Sequence, residues 1–205
     1  MNQNIRYITE IAILTAMITV LGAIKIPNII PGIEFQLSAP LAVAICAVFG
    51  FKKYIISGII FTIVFGSLLH FFYDWSGKNA IVGLFSPINE SVFEHLKLLY
   101  FPMLLWIVLG YFIYGKKNRN YFLSSFIGLV CGLILTPVLF YLYTSYTKTS
   151  ILPVDIGIFV ISVVVSFALF AYIFLNYNFN FFSVKMGILL WELVFAMFII
   201  SYLLQ

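Results

Sequence analysis

Tyr121-Phe-Leu-Ser-Ser-Phe-Ile-Gly-Leu-Val-Cys-Gly-Leu-Ile-Leu-Thr-Pro-Val-Leu-Phe-Tyr-Leu-Tyr143 carries no charged side chain anywhere along its length. A helix needs about 20 such residues, rising about 1.5 Å each, to cross the hydrocarbon core of a bilayer. This stretch therefore reads as a membrane-spanning helix, and it has company on both sides. Ile8–Ile26, Tyr54–Tyr73, Leu96–Tyr114, Val154–Leu175 and Val184–Leu204 are apolar runs of comparable length, the last despite Glu192. Leu37–Phe51 is shorter and lies between Pro31-Gly32 and Lys52-Lys53. It fits a short or tilted span, or a re-entrant segment held against protein. The expected fold is all-α, a polytopic transmembrane helical bundle of seven membrane helices, or six if Leu37–Phe51 does not cross. Residues 1–205 read as one integral membrane domain, with an N-terminal helical pair over 1–52 and a larger bundle over 53–205.

Composition agrees. Hydrophobic residues make up 63% of the chain and charged residues only 9%, against about a quarter charged in soluble domains. A water-soluble fold is excluded. Cys46 and Cys131 both lie in apolar runs and read as small buried hydrophobes rather than a disulfide framework. The first run ends in Lys25-Ile-Pro-Asn28 without a small-residue cleavage site, so it reads as a retained helix.

The net charge of +4 is spread over short loops, where it speaks to topology and not to nucleic acid. With seven crossings and the N-terminus inside, Arg6, Lys52, Lys53, Lys116, Lys117, Arg119 and Lys185 fall on the cytoplasmic side. Lys25, Lys78, Lys97 and Lys148 fall outside, together with Glu34, Asp74, Glu90, Glu94 and Asp155. Cytoplasmic loops of membrane proteins are enriched in Lys and Arg, which places the chain in the inner (cytoplasmic) membrane with its N-terminus in the cytoplasm.

Against this background Asn89-Glu-Ser-Val-Phe-Glu-His-Leu-Lys97 is the densest polar cluster, and it falls on the extracytoplasmic side. Ionisable groups at membrane depth are costly and are functional candidates for that reason. His70 and Asp74, four apart at the end of the preceding run, share a helix face. His70, Asp74, Asn89, Glu90, Glu94 and His95 form the expected polar pocket. Within it, His70, Asp74, Glu90 and His95 have the ligand chemistry of a divalent metal site, although no strong spacing such as His-Glu-x-x-His is present. The same groups suit a proton relay or a membrane-embedded hydrolase.

Ordinary helix chemistry accounts for part of the cluster. Ser91-Val-Phe-Glu94 fits a capping box, in which Ser91 caps the helix and Glu94 returns to the Ser91 amide. Ser86-Pro87 offers a second helix start, and Glu94 can pair with Lys97 at i, i+3. Elsewhere, Glu192 reads as a buried charge facing the bundle interior, within reach of Lys185. Lys25, Glu34 and Gln36 flank a Pro-Gly turn and suit an outer lip. Pro102 and Pro137 each remove a helix hydrogen bond and favour kinks beside a cavity.

Two resemblances follow. From Lys53 onward the chain resembles a family of small bacterial integral membrane proteins with a domain of unknown function. Gly66-Ser-Leu-Leu-His70, Asp74-Trp-Ser-Gly77, Val82-Gly83, Pro87-Ile-Asn-Glu-Ser91 and Glu94-His-Leu-Lys97 carry it, with Phe93 where Trp is expected. That resemblance implies a membrane protein and no assigned activity. The first fifty residues resemble the start of substrate-binding components of energy-coupling-factor transporters, through Thr9-Glu-Ile-Ala-Ile-Leu-Thr15 and Glu34-Phe-Gln-Leu-Ser-Ala-Pro40 to Phe49-Gly50. It implies docking to partner subunits through small residues, for which Ala47, Gly58 and Gly66 are the candidates. Three functions are therefore in play: transport of a small molecule or ion through an outward-facing pocket, metal-dependent hydrolysis, and substrate binding within a larger transporter.

Overall fold

The computed structural model describes residues 25–26, 35–36, 50–179 and 182–204. The chain divides into two compact units, Met1–Ser57 and Gly58–Gln205. In the first, Lys25–Ile26 (β1) pairs antiparallel with Phe35–Gln36 (β2), Lys25 opposite Gln36 and Ile26 opposite Phe35. The sequence pattern does not announce this short ladder. The expected spans over 8–26 and 37–51 otherwise lie outside the described residues, as do Arg6 and Ala47.

All the longer elements are helical. They are α1 (Phe51–Trp75), the single turns α2 (Ala80–Gly83) and α3 (Val92–His95), α4 (Lys97–Tyr111), α5 (Tyr121–Thr147), α6 (Leu152–Asn176) and α7 (Phe182–Leu203). Among the described residues, five stretches are long and apolar enough to cross a membrane: Phe51–Trp75, Val92–Tyr111, Tyr121–Thr147, Leu152–Asn176 and Val184–Leu203. The chain is a membrane protein, and its last five expected spans are all present as helices. Gly77, at φ +67°, closes α1 with its N–H on Asp74 O, a left-handed position that glycine adopts without steric cost.

Among the described residues α5 and α6 pair extensively, and small residues explain it. A Cβ on Gly128 would meet Ser166 O at 2.3 Å, and one on Gly132 would meet Ser166 Oγ at 2.0 Å. Gly128 and Gly132 form a small-xxx-small stripe facing Ser162 and Ser166, which lets the two backbones approach closely. Thr136 Oγ1 lies 2.9 Å from Gly132 O on its own helix and 2.9 Å from Ser162 Oγ, and the contact with Ser162 links the two helices one turn further on. At the far end of the pair, Asn120 Nδ2 donates to Phe174 O and Tyr177 O, at 3.0 and 2.8 Å, and satisfies the carbonyls that end α6.

Proline and glycine cooperate between α1 and α4. Pro102 lacks the N–H that would bond Leu98 O. A Cβ on Gly66 would lie 2.5 Å from that same oxygen, so the α1 backbone packs against the freed carbonyl. Gly58 packs as tightly against Trp106 and Phe167. Both glycines are occupied by packing inside the bundle and do not form the docking stripe expected of them. Buried tyrosines hold further pairs: Tyr100 OH donates to Trp191 O at 2.7 Å and Tyr121 OH to Ile107 O at 2.9 Å.

Glu192 corrects another expectation, because it is exposed and does not face the interior. Trp191 fills the core position, 4% exposed, with its ring tilted against Tyr100 and edge-on to Phe126. Successive helical residues point about 100° apart, so burying Trp191 turns Glu192 outward.

Candidate functional site

One end of the second unit gathers the C-terminal ends of α1, α5 and α7 with the N-terminal ends of α4 and α6. Residues 76–96 fold across this end as two single turns and their connecting loop. Asn79 caps α2, its side chain accepting from Ile81 N. Ser86 caps no helix, contrary to its reading as a start site. It is fully buried, and its Oγ donates to Leu69 O and accepts from Tyr73 N, pinning the loop to α1. The helix instead begins at Val92 with Ser91 as its cap, Ser91 Oγ accepting from Glu94 N at 3.3 Å.

Glu94 does not return to the Ser91 amide as a capping box requires. Ser91 N donates to Asn89 Oδ1 at 3.0 Å, leaving the Glu94 carboxylate free to turn inward. There it accepts from Ile88 N at 3.1 Å and from Lys97 Nζ at 2.7 Å, and both side chains of the pair are 0% exposed. Lys97 Nζ also donates to Gly83 O at 3.1 Å and lies over the Tyr202 ring. The expected i, i+3 pair exists, but it is a buried lock joining α2, the loop and α4. Glu94 thus leaves the expected polar pocket.

The remaining polar residues separate in turn. Asp74 is exposed and stands outside the group formed by His70, Glu90 and His95. In that group one ligand-type atom from each residue lies within 4.8 Å of the others. His95 Nε2 is 3.4 Å from Glu90 Oε2, with side-chain exposures of 30% and 85%. The His70 and His95 rings are 5.1 Å apart, tilted by 40°. His95 Nδ1 lies 2.8 Å from Ser91 O. A carbonyl only accepts, so Nδ1 carries the hydrogen and Nε2 faces Glu90. His70 Nδ1 is buried and has no hydrogen-bond partner among the described residues. Asn89 is exposed and belongs to the turn before the helix.

Beside this group opens a cavity of about 290 Å³ lined by Glu90, His95, Thr136, Ser150 and Asp155, with Leu98, Phe140 and Phe159 among its apolar walls. Asp155 is held from behind by Tyr143, whose hydroxyl donates to its carboxylate and accepts from Ile151 N. Sequence reasoning placed Asp155 on the outer side but not in the pocket. Its position in the first turn of α6 is the one local signal, and an acidic residue there is equally at home with the helix dipole.

The chain is 56% identical over 57 residues to Protein BioX of Lysinibacillus sphaericus, a match covering 28% of this chain and 34% of that protein. It therefore spans about a third of the length of that relative. No solved structure matches it. Residues 44–204, which contain every helix among the described residues and the whole of the site, match the model of a family of unknown function, DUF6512, and the chain belongs to that family.

Proposed function

We propose that the protein is a polytopic protein of the cytoplasmic membrane whose pocket, open to the extracytoplasmic side, takes up a small molecule or ion for transport. The observation that carries this reading is the cavity of about 290 Å³ lined by Glu90, His95, Thr136, Ser150 and Asp155. Small-molecule sites run from about 300 Å³ upward, so the volume suits a solute of a few heavy atoms. Two carboxylates in its wall favour a cationic one.

Charge supports the orientation. At the end away from the cavity, the second unit carries Lys116, Lys117, Arg119 and Lys185 with no acidic residue. At the cavity end, Lys78, Lys97 and Lys148 are accompanied by Asp74, Glu90, Glu94 and Asp155. By the positive-inside tendency the first end is cytoplasmic.

Cysteine labelling in intact cells tests the opening. In a background with Cys46 and Cys131 replaced by Ser, a membrane-impermeant maleimide should label Ser150→Cys from outside and Lys117→Cys only after permeabilisation. The reverse pattern overturns the orientation. Proteoliposomes on a solid-supported membrane, challenged with alkali and divalent cations and small amines, should give currents that Asp155→Asn removes. Silence across that panel, with the fold intact, removes the transport reading.

A second reading, a metal-dependent hydrolase, has one specific support: two imidazoles and a carboxylate beside a cavity that also contains Asp155. It expects ester or amide hydrolysis that Glu90→Ala abolishes.

A further inference from the structure

We propose that His70, Glu90 and His95 form a zinc-class divalent-cation site whose open coordination position faces the cavity. Three observations meet here. The first is the donor set: two imidazoles and one carboxylate, the His₂Glu combination of zinc centres that keep a position free.

The second is the orientation of His95. Its Nδ1–H is fixed on Ser91 O at 2.8 Å, an outer contact of the kind that orients metal-bound histidines and directs the other nitrogen at the metal. That other nitrogen, Nε2, lies 3.4 Å from Glu90 Oε2. A charge-assisted hydrogen bond between such atoms closes to about 2.7–2.9 Å. Two donors each bonded at about 2.1 Å to a tetrahedral zinc stand about 3.4 Å apart, which is the separation of this pair, and the His70 donor lies within 4.8 Å of both.

The third is His70. A contact between His95 and Glu90 alone would leave its buried Nδ1 without a partner among the described residues, and a buried unsatisfied polar atom costs about 1–3 kcal/mol. His70 comes from α1 while Glu90 and His95 come from the 76–96 segment, so a shared cation also ties that segment to the bundle. Glu90 and His95 both line the cavity. The fourth position therefore looks into it, available to water or to an oxygen donor of a bound solute.

The site stands on its own geometry, whichever way the protein faces the membrane. Zinc titration of chelator-stripped, full-length protein in detergent tests it by calorimetry, with bound metal counted by mass spectrometry. One equivalent of Zn²⁺ should bind, and Co²⁺ in its place should give the intense visible absorption of a tetrahedral centre. Glu90→Ala, His95→Ala and His70→Ala should each weaken binding by at least about tenfold, while Asp74→Asn leaves it unchanged. Glu90 is exposed, so its variant keeps the fold, and unchanged thermal unfolding verifies this. Absence of saturable binding in the wild type overturns the proposal. So does binding indifferent to Glu90→Ala and His95→Ala. Binding that survives His70→Ala reduces the site to a surface pair and overturns it as well. Labelling and transport currents are separate readouts, so loss of the cation site and loss of the pocket reading are distinguishable.

Discussion

The nine residues from Asn89 to Lys97 contain two glutamates four positions apart that end up in opposite environments. Glu94 is fully buried, with Lys97 and the Ile88 amide on its carboxylate. Glu90 is 85% exposed beside His95 at the mouth of a cavity. The difference comes from where the helix begins. Because Ser91 caps it, Glu94 lies in its first turn and can swing under the loop, whereas Glu90 precedes the cap and stays outside. One glutamate is locked in a buried ion pair and the other stays at the surface beside His95.

The comparison breaks most sharply at Lys97. Lys97→Met leaves the Glu94 carboxylate buried with no counter-charge. Removing one member of a buried pair costs about 3–5 kcal/mol, which thermal unfolding in detergent should register as a large drop in Tm. Adding Glu94→Gln should restore a good part of it, since the stranded charge is gone. A single variant as stable as the wild type would mean that the pair is not the lock described here.

Gly132→Leu supplies a lesion remote from both glutamates. Its new side chain would meet Ser166 Oγ and Ser162 O, and overpacking of this kind costs about 1–3 kcal/mol. Stability should fall while zinc affinity per folded molecule does not. Ser86→Ala should cost about 1 kcal/mol, because it deletes the hydroxyl that joins the loop to Leu69 and Tyr73. Glu90→Ala is the smallest stability change, within about 0.5 kcal/mol as for other exposed positions, yet it should abolish cation binding. If it instead destabilises the protein as much as Lys97→Met, the two glutamates do not divide their roles.

Much of the fold was legible because lipid imposes a simple rule: long apolar runs become helices. The spans over 54–73, 96–114, 121–143, 154–175 and 184–204 follow from that rule, and Ser91 announced its cap. What stayed hidden depends on neighbours distant in sequence. The turn of Glu94 toward Lys97 and Ile88 in place of the Ser91 amide depends on Asn89 taking that amide first. The exposure of Glu192 depends on Trp191 being claimed by the core, and a helix that is apolar all round gives no face from which to read it. The pocket roles of Thr136, Ser150 and Asp155 depend on α5 and α6 meeting the α1–α4 side at one end. The candidate cluster was half legible: His70, Glu90 and His95 come together, while Asp74 and Glu94 do not.

The clasp between α5 and α6 has a bearing on how the molecule would move and be made. Glycine opposite serine along the middle, Thr136 on Ser162 above and Asn120 on the end of α6 below leave the two helices little freedom to slide. They form a rigid post, joined by a short connection and suited to entering the bilayer together as one hairpin. Thr136, Ser150 and Asp155 ride on that post. The opposite wall, carried by the 76–96 segment with Glu90 and His95, rests on single turns and side-chain anchors. The cavity therefore has one wall built on two clasped helices and another whose shape depends on a few side-chain anchors, those of Ser86 and of the Glu94–Lys97 pair.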